Sequence, residues 1–298
     1  MALNITPITN HREREKGFIV YPVYSRRSEG LSIGINLFTG RKTCPFDCPY
    51  CEVFPFAGNS AFSLEQMESD LRDAILEAQK QNIPIKDICF SGNGEPTLSP
   101  FFPEALKSAE KIRAETAPSA KLVVITNGAG LLQPQVFSLL RETAVNSAAG
   151  SSMTDIWLKL DAGTRYWYQK MNRSSIQLEK LIEKIKEFVL NAPVTIQTML
   201  CAIDGEKPPD DEVQAWETLM CELAEIANQT DARVTLPQEA ANKAGGFIRK
   251  AQLYGKARAA PEDPKASALP AEYLEERAAS LRRKFAEKGI HVNVDLYL

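Results

Sequence analysis

Three cysteines stand within eight residues of one another, in the segment Cys44-Pro-Phe-Asp-Cys48-Pro-Tyr-Cys51. Three thiolates this close can bind zinc or an iron–sulfur cluster, whereas a single disulfide would leave one thiol unpaired. A structural zinc site needs four protein ligands, but the only histidines are His11 and His291 and there is no second C-x2-C pair. A cluster held by three cysteines keeps one iron open to a small molecule. The spacing therefore favours an iron–sulfur cluster that takes part in chemistry.

Composition sets the context for these cysteines. The chain has 298 residues, is 44% hydrophobic and carries a net charge of −3, from 35 Lys plus Arg and 38 Asp plus Glu. This balance excludes a generally basic nucleic-acid-binding surface, although not a local basic groove. No apolar run approaches the ~18 residues of a membrane span, and residues 1–16 lack the apolar core of a secretory signal. We expect a cytoplasmic protein that does not contact membranes, with its six cysteines in a reducing compartment.

Short β-rich runs alternate with helical patterns through the middle of the chain, which predicts parallel β-α-β units around a buried sheet. The predicted strands are residues 32–38, 87–91, 122–126, 155–161, 194–200 and 248–254. Ser63-Leu-Glu-Gln66 is typical of a helix capping box, and Gly289 is placed to end the last helix. We predict one α/β domain over residues 32–298, with a C-terminal helix and strand. Residues 1–31 form an N-terminal extension that could add an edge strand or a basic lip.

Three further motifs fall at or near the ends of predicted strands. Ser91-Gly-Asn-Gly-Glu-Pro-Thr97 follows the second strand, Thr126-Asn-Gly128 follows the third, and Leu158-Lys-Leu-Asp161 lies in the fourth. Strand alternation places Lys159 and Asp161 on the same face. Because a buried parallel strand is normally apolar on both faces, this pair indicates a polar interior. A purely structural ion pair is the alternative.

Together, the cysteine triplet and these three motifs resemble the signature of the radical S-adenosylmethionine (radical SAM) superfamily, over about residues 32–258. The resemblance implies a partial (β/α)6 TIM-like barrel of parallel strands, with the cluster at the C-terminal mouth. In finer detail, the glycine-rich turn and the lead-in Tyr21-Pro-Val-Tyr-Ser-Arg-Arg27 resemble a bacterial branch related to the tRNA wyosine-base synthases. Those synthases carry a second cluster on additional N-terminal cysteines. This chain has no cysteine before Cys44, so we expect one cluster.

The resemblance also implies the cofactors. Cys44, Cys48 and Cys51 would hold a 4Fe–4S cluster, and S-adenosylmethionine would chelate its fourth iron. One electron, from a donor such as flavodoxin or ferredoxin, would break a carbon–sulfur bond of S-adenosylmethionine. The resulting 5′-deoxyadenosyl radical would abstract hydrogen from an organic substrate, which we expect to be a nucleobase or tRNA, or else a small molecule. The protein would orient these groups.

The residues that the resemblance places at S-adenosylmethionine each have an ordinary alternative. Tyr50 would contact the adenine, or pack within its loop, and Lys159 would bind the carboxylate, or pair with Asp161. The remaining positions would contact the amino group, the ribose or the substrate, with turn formation and core hydrogen bonding as the alternatives. These positions are Gly92, Asn93, Gly94, Glu95, Thr126, Asn127 and Asp161. Strand alternation adds Gln197, which shares a face of the predicted strand 194–200 with Thr195, as a ribose or substrate contact or a core polar group. No residue is assigned as catalytic.

Two other functions stay open from the sequence. An activase that places a radical on a glycine of a partner enzyme would share the cluster and the fold. A structural zinc protein or an electron-transfer protein would use the same cysteines, but would neither bind nor cleave S-adenosylmethionine.

Overall fold

The computed structural model describes residues 18–53, 56–58, 60–150, 152–228, 246–258, 260 and 263–298. The strands are β1 (Val20–Ser25), β2 (Gly30–Ile35), β3 (Ile85–Phe90), β4 (Lys121–Thr126), β5 (Thr154–Lys159), β6 (Val194–Leu200), β7 (Ala202–Ile203), β8 (Ile248–Gly255), β9 (Ala266–Ser267) and β10 (Asn293–Tyr297). The helices are α1 (Leu64–Lys80), α2 (Phe102–Thr116), α3 (Pro134–Ala148), α4 (Arg165–Met171), α5 (Leu178–Asn191), α6 (Asp210–Asn228) and α7 (Ala271–Glu287).

Eight strands form one sheet, in the order β1-β2-β3-β4-β5-β6-β8-β10. From β2 to β10 every neighbouring pair is parallel, and only β1 is antiparallel to its neighbour β2. The sheet curls into a half-barrel, which confirms the predicted partial TIM-like barrel. The six predicted strands correspond to β2, β3, β4, β5, β6 and β8. Because these strands are parallel, their carboxyl ends lie at one edge of the barrel, where ligands bind in folds of this type.

Strand alternation separates two sets of apolar side chains. On β3 and β4, Ile88 and Leu122 belong to the main core, which includes the buried faces of the helices. Cys89, Val123 and Trp157 form a second, smaller cluster on the opposite, inner face of the sheet. The inner face also carries polar side chains on β5, β6 and β8, as the placement of Lys159 and Asp161 predicted.

Local signals for the helix ends are found as predicted, with one difference. Ser63 is extended, and its side chain accepts a hydrogen bond from the Gln66 backbone N–H at 3.2 Å. The Gln66 side chain donates to Asp70 at 2.7 Å instead of bonding back to Ser63, so of the predicted capping box only the contact of the Ser63 side chain is formed. Gly289 has a φ of +66° just after α7, and the following N–H of Ile290 closes the turn on the Phe285 carbonyl at 2.8 Å.

The N-terminal part of the described chain belongs to the sheet. β1 is the edge strand expected from the Tyr21–Arg27 lead-in, and the predicted boundary between residues 31 and 32 falls inside β2. β2 ends at Ile35, three residues before the predicted end of the first strand. The ladder stops there because the Asn36 side-chain oxygen accepts hydrogen bonds from the backbone N–H groups of Phe38 and Asn93, both at 3.1 Å.

None of the helices within the described ranges combines the length and the apolar composition that crossing a bilayer requires.

Replacing Ser63 with Ala removes the N-cap acceptor of α1, and we expect it to lower the free energy of unfolding by about 1 kcal/mol. Ser69→Ala is the matched control, because Ser69 is exposed in the interior of the same helix. There the change to Ala should raise the free energy of unfolding by about 0.5 kcal/mol. Urea denaturation measures both. Equal effects of the two substitutions would contradict the capping role.

Candidate functional site

The three closely spaced cysteines lie in the loop that follows β2. All three are partly buried, and all six cysteines of the chain are free thiols. The Cys44 sulfur accepts hydrogen bonds from the backbone of Phe46 at 3.4 Å and from Nδ2 of Asn127 at 3.3 Å. The Cys48 sulfur accepts from Nδ2 of Asn172 at 3.5 Å, and the Cys51 thiol donates to the Val53 carbonyl at 3.7 Å. The other three cysteines, Cys89, Cys201 and Cys221, are buried in the core.

The chemistry of this donor set fits an iron–sulfur cluster with three cysteine ligands. Three unpaired thiols share one loop, and amide N–H groups already point at two of the sulfurs, as they do around metal-bound thiolates. Within the described ranges, no three His, Cys, Asp or Glu side chains are yet grouped as a metal site. Burial raises the pKa of Cys44 to about 12 and that of Cys48 to about 11. Cluster binding must therefore displace these thiol protons and bring the sulfurs together.

The glycine-rich turn after β3 is docked against the start of the cysteine loop. Thr43 and Gly94 form an isolated parallel bridge. Its hydrogen bonds run from Thr43 N–H to the Asn93 carbonyl at 3.1 Å and from Glu95 N–H to the Thr43 carbonyl at 2.9 Å. A Cβ at position 94 would lie 2.0 Å from the Thr43 carbonyl oxygen, so only glycine allows this approach. Gly92 has a φ of +113°, which also favours glycine. The turn thus fixes the backbone next to Cys44.

The Glu95 carboxylate organises the turn from within the protein. It is 2% exposed and accepts hydrogen bonds from Thr97 N–H at 3.2 Å, Thr97 Oγ1 at 2.5 Å, Thr126 Oγ1 at 2.7 Å and Asn127 N–H at 2.7 Å. Burial raises its pKa, while these donors act in the opposite direction. Asn127 in turn donates to Cys44. Glu95 and Thr126, both predicted cofactor contacts, therefore have their side-chain oxygens engaged with other protein groups.

A second group of predicted residues meets at the carboxyl end of β5. The Lys159 ammonium donates to the phenol oxygens of Tyr50 and Tyr254, both at 2.9 Å, and pairs with Asp161 at 3.3 Å. It also lies 4.5 Å from the centre of the Tyr50 ring. The Tyr50 hydroxyl donates to Asp161, whose other oxygen accepts from the Met199 backbone at 2.9 Å. The ion pair weighed as the alternative for Lys159 is thus formed.

Electrostatics favour one protonation state of Lys159 and one of Tyr50. Burial lowers the pKa of Lys159, but Asp161, Tyr254 and Cys48 outweigh that effect, and the net shift is upward. Burial, followed by the Asp161 charge, raises the pKa of Tyr50 well above its usual value. Lys159 is therefore an ammonium and Tyr50 a neutral phenol, which is why the phenol can donate to Asp161 while it accepts from Lys159.

Asn172, at the end of α4, connects the cysteine loop to this group. Its Nδ2 lies 3.5 Å from the Cys48 sulfur, 3.3 Å from the Tyr50 oxygen and 3.1 Å from the nearer Asp161 oxygen. Its backbone carbonyl accepts from the Asp47 N–H at 2.9 Å. Asn172 and Asn127 therefore make equivalent contacts. Asn172 donates an amide N–H to the Cys48 sulfur, and Asn127 donates one to the Cys44 sulfur.

Gln197 lies on the inner face of the sheet, beside Lys159 in the β5–β6 register, and is fully buried. Its oxygen accepts from Nη1 of Arg27 at 3.2 Å, and its Nε2 donates to Gln252 at 2.7 Å. Both ends of its amide are thus engaged with protein groups, as the core alternative for this residue predicted.

The structure brings most of the predicted site residues into two adjoining groups. One holds Cys44 with the glycine-rich turn and Asn127, and the other holds Cys48 with Tyr50, Lys159 and Asp161. Sequence reasoning did not identify Tyr254 or Asn172. Alternating polar residues on β8, ending at Tyr254, carried a signal similar to that on β5, whereas Asn172 follows a short helix with no pattern that marks it.

Two basic residues on and just after β8 pair with acids. Lys250, near the amino end of β8, pairs with Asp295 at 2.9 Å, and Arg258, beyond the carboxyl end of β8, pairs with Glu52 at 2.8 Å. In the segment after β5, Trp167 and Tyr168 are both buried.

Comparison with known proteins agrees with this arrangement. The sequence model of the Radical SAM superfamily matches residues 41–213, more than half of the chain. A UPF0026 protein of Helicobacter pylori strain J99 is 28% identical over 174 residues, which cover 56% of this chain and 50% of that protein.

Two solved structures share the fold. SuiB of Streptococcus suis, bound to the precursor peptide SuiA, superposes with a TM-score of 0.58 at 14% identity, covering 91% of this chain and 50% of SuiB. A radical SAM methyltransferase from Sphaerobacter thermophilus gives a TM-score of 0.56 at 14% identity, covering 93% of this chain and 68% of that enzyme. The chain thus spans about half the length of SuiB and of the Helicobacter protein.

Replacing Glu95 with Gln places an amide N–H₂ against groups that are themselves donors, and we expect the free energy of unfolding to fall by about 1–3 kcal/mol. Urea denaturation of the metal-free chain measures this effect. Glu179→Gln, in an exposed pair with Arg165, is the control and should leave stability nearly unchanged. An equally small effect at position 95 would contradict the organising role of Glu95.

Proposed function

This chain belongs to the radical SAM superfamily, and on that premise we propose that it is an oxidoreductase-type enzyme that abstracts hydrogen from a compact organic substrate. Membership confirms the resemblance seen in the sequence, and it establishes a 4Fe–4S cluster and S-adenosylmethionine as the cofactors. The observation that carries the proposal is the placement of the buried Lys159–Asp161–Tyr50 group beside the free thiol of Cys48, at the carboxyl ends of the strands.

The cysteine loop has the groups needed to hold the cluster, through Cys44, Cys48 and Cys51. When bound, the cluster would pass one electron from an external donor to S-adenosylmethionine, whose cleavage into methionine and a 5′-deoxyadenosyl radical is the chemistry that the cofactors would supply. The protein's contribution is orientation. The bridge between Thr43 and Gly94 fixes one end of the loop, and the backbone contact of Asn172 with Asp47 fixes its middle.

S-adenosylmethionine would lie between the two groups of residues. We assign its carboxylate to the Lys159 ammonium, which must then exchange one of its present partners, and its amino group to the backbone of the turn at Gly92, Asn93 and Gly94. Tyr50 would contact the adenine through the ring face that Lys159 leaves open. Asp161 would act through Tyr50 and Lys159, because its oxygens already accept hydrogen bonds from the protein.

Radical SAM enzymes need an electron donor and a substrate. We propose flavodoxin or ferredoxin as the class of donor, and the cytoplasm as the compartment, in keeping with six free thiols. For the substrate we favour a compact molecule, including a single nucleobase, over a long RNA. The support is the net charge of −3, together with the pairing of Arg258, beyond the carboxyl end of β8, with Glu52.

Anaerobic reconstitution with iron and sulfide, followed by reduction and addition of S-adenosylmethionine, should yield 5′-deoxyadenosine from the wild-type chain. Cys48→Ala removes a cluster ligand, and we expect it to abolish the product and to lower the iron content from about four per chain. Cys221→Ala is the control, because Cys221 is a buried thiol of α6 outside the cysteine loop. It should retain both cluster and product. Retention of one zinc without iron, or equal loss in both variants, would contradict the proposal.

Asn172→Leu removes the N–H that points at the Cys48 sulfur. Since such donors stabilise the more negative, reduced form of a cluster, we expect a more negative midpoint potential. A shift on the order of 60 mV corresponds to a one-electron effect of about 1.4 kcal/mol, close to one hydrogen bond. A redox titration followed by electron paramagnetic resonance measures it, with Asn191→Leu, at the end of α5, as the control. An unchanged potential would show that the contact does not persist in the loaded protein.

A further inference from the structure

Two hydrogen-bond donors on the inner face of the sheet are buried and find no partner among the described residues. Trp157, on β5, is 5% exposed, and Gln252, on β8, is 0% exposed. Within the described ranges, neither Nε1 of Trp157 nor Nε2 of Gln252 has a hydrogen-bond acceptor. Buried polar atoms in native proteins are nearly always satisfied. Two orphaned donors on one surface therefore indicate that an acceptor is supplied from outside the chain.

The direction of the neighbouring hydrogen bonds makes Gln252 a donor. Arg27, in the turn between β1 and β2, can only donate, and its Nη1 binds the oxygen of Gln197 at 3.2 Å. The amide of Gln197 must then present Nε2 to the oxygen of Gln252, at 2.7 Å. This leaves Nε2 of Gln252 as the unpaired end of the row. Because the arginine sets the orientation of both amides, the assignment does not depend on an arbitrary choice of amide flip.

Arg27 adds a positive charge to the same place. Its guanidinium carbon lies 5.0 Å from the centre of the Tyr254 ring and 5.6 Å from that of Trp157, so aromatic faces hold the group in position. The bond to Gln197 uses one of its five N–H groups, and in the part of the chain that the structure describes no second hydrogen bond of Arg27 is found. The remaining N–H groups can make the paired contacts that guanidinium forms with carboxylate or phosphate.

The acids of the inner face have other partners. Asp155 accepts from Thr195 at 3.0 Å, and Asp295, the neighbour of Gln252 across β8 and β10, accepts from Lys250 at 2.9 Å. Asp87 accepts from Ser32. Burial raises the pKa of Asp87, and Arg27 lowers it in part, without a hydrogen bond between the two side chains. None of these carboxylates satisfies the two orphaned donors.

We propose that this inner face binds an oxyanion group of the substrate, a carboxylate or a phosphate, through Arg27, Nε1 of Trp157 and Nε2 of Gln252. The site offers two hydrogen-bond donors and a cation. A ligand that matches them carries acceptor oxygens and a negative charge. The inference rests on the proposed function, since it takes the barrel interior as the place where the substrate lies. It extends that function by naming the chemical class of the substrate.

Isothermal titration calorimetry of the full chain tests this site with two probes, inorganic phosphate and acetate, at constant ionic strength. It is carried out on the metal-free chain, and again on the reconstituted protein with S-adenosylmethionine bound, so that Lys159 is occupied. We expect one of the probes to bind. Stronger binding of phosphate identifies a phosphorylated substrate, and stronger binding of acetate a carboxylate.

Three variants locate the binding. Trp157→Phe removes only the indole N–H, Arg27→Lys removes the paired donors but keeps the charge, and Gln252→Glu replaces a donor with a negative group. Each should weaken binding by about tenfold or more. Arg165→Gln, which removes an exposed cation of α4, should leave binding unchanged. Thermal unfolding of each variant verifies that it is folded.

Three results would overturn the inference: neither probe binds, all three variants bind as the wild type does, or binding is lost only in Lys159→Gln. The 5′-deoxyadenosine assay without substrate separates this inference from the proposed function. A chain that makes 5′-deoxyadenosine but binds neither anion contradicts the oxyanion site alone. A chain that binds an anion at Arg27 but never cleaves S-adenosylmethionine contradicts the proposed function instead.

Discussion

The buried ion pair of Lys159 and Asp161 is the interaction on which the rest of the site depends. Burying two charges is unfavourable unless each is paired and its remaining hydrogen-bonding groups are satisfied. Here Tyr50, Tyr254 and Asn172 supply those contacts. These partners come from the cysteine loop, from β8 and from the end of α4. Satisfying one ion pair therefore holds these three parts of the chain against the end of β5, at one point of the barrel mouth.

The Cys44 side of the cysteine loop is held by a second buried carboxylate, that of Glu95. Glu95 collects donors from its own turn and from the end of β4, and it thereby places Asn127 against Cys44. The loop is thus fixed from two directions by buried carboxylates that contact neither cysteine. Glu95 positions Asn127 against the Cys44 sulfur, and Asp161 positions Asn172 against the Cys48 sulfur. The hydrogen bonds that satisfy the two buried carboxylates therefore also position the two sulfurs.

Much of this could be predicted from the sequence, because the relevant patterns are local. Alternation along the predicted strand 155–161 placed Lys159 and Asp161 on one face, and the order of β-rich runs and helices predicted the parallel barrel. The hydrogen bonds of Glu95 to other protein groups, and the contacts of Tyr254 and Asn172 in the site, could not be predicted. Their contacts join residues far apart in sequence, as when Lys159 meets Tyr254 across 95 positions, and no local period encodes such a meeting.

The row from Arg27 through Gln197 to Gln252 has a consequence for proton movement. Amide groups do not gain or lose protons near neutral pH, and the guanidinium of arginine stays charged. The row therefore cannot relay a proton, and its hydrogen bonds keep one direction at every physiological pH. Along this part of the barrel wall, none of these three side chains can act as a general acid or base toward a bound substrate.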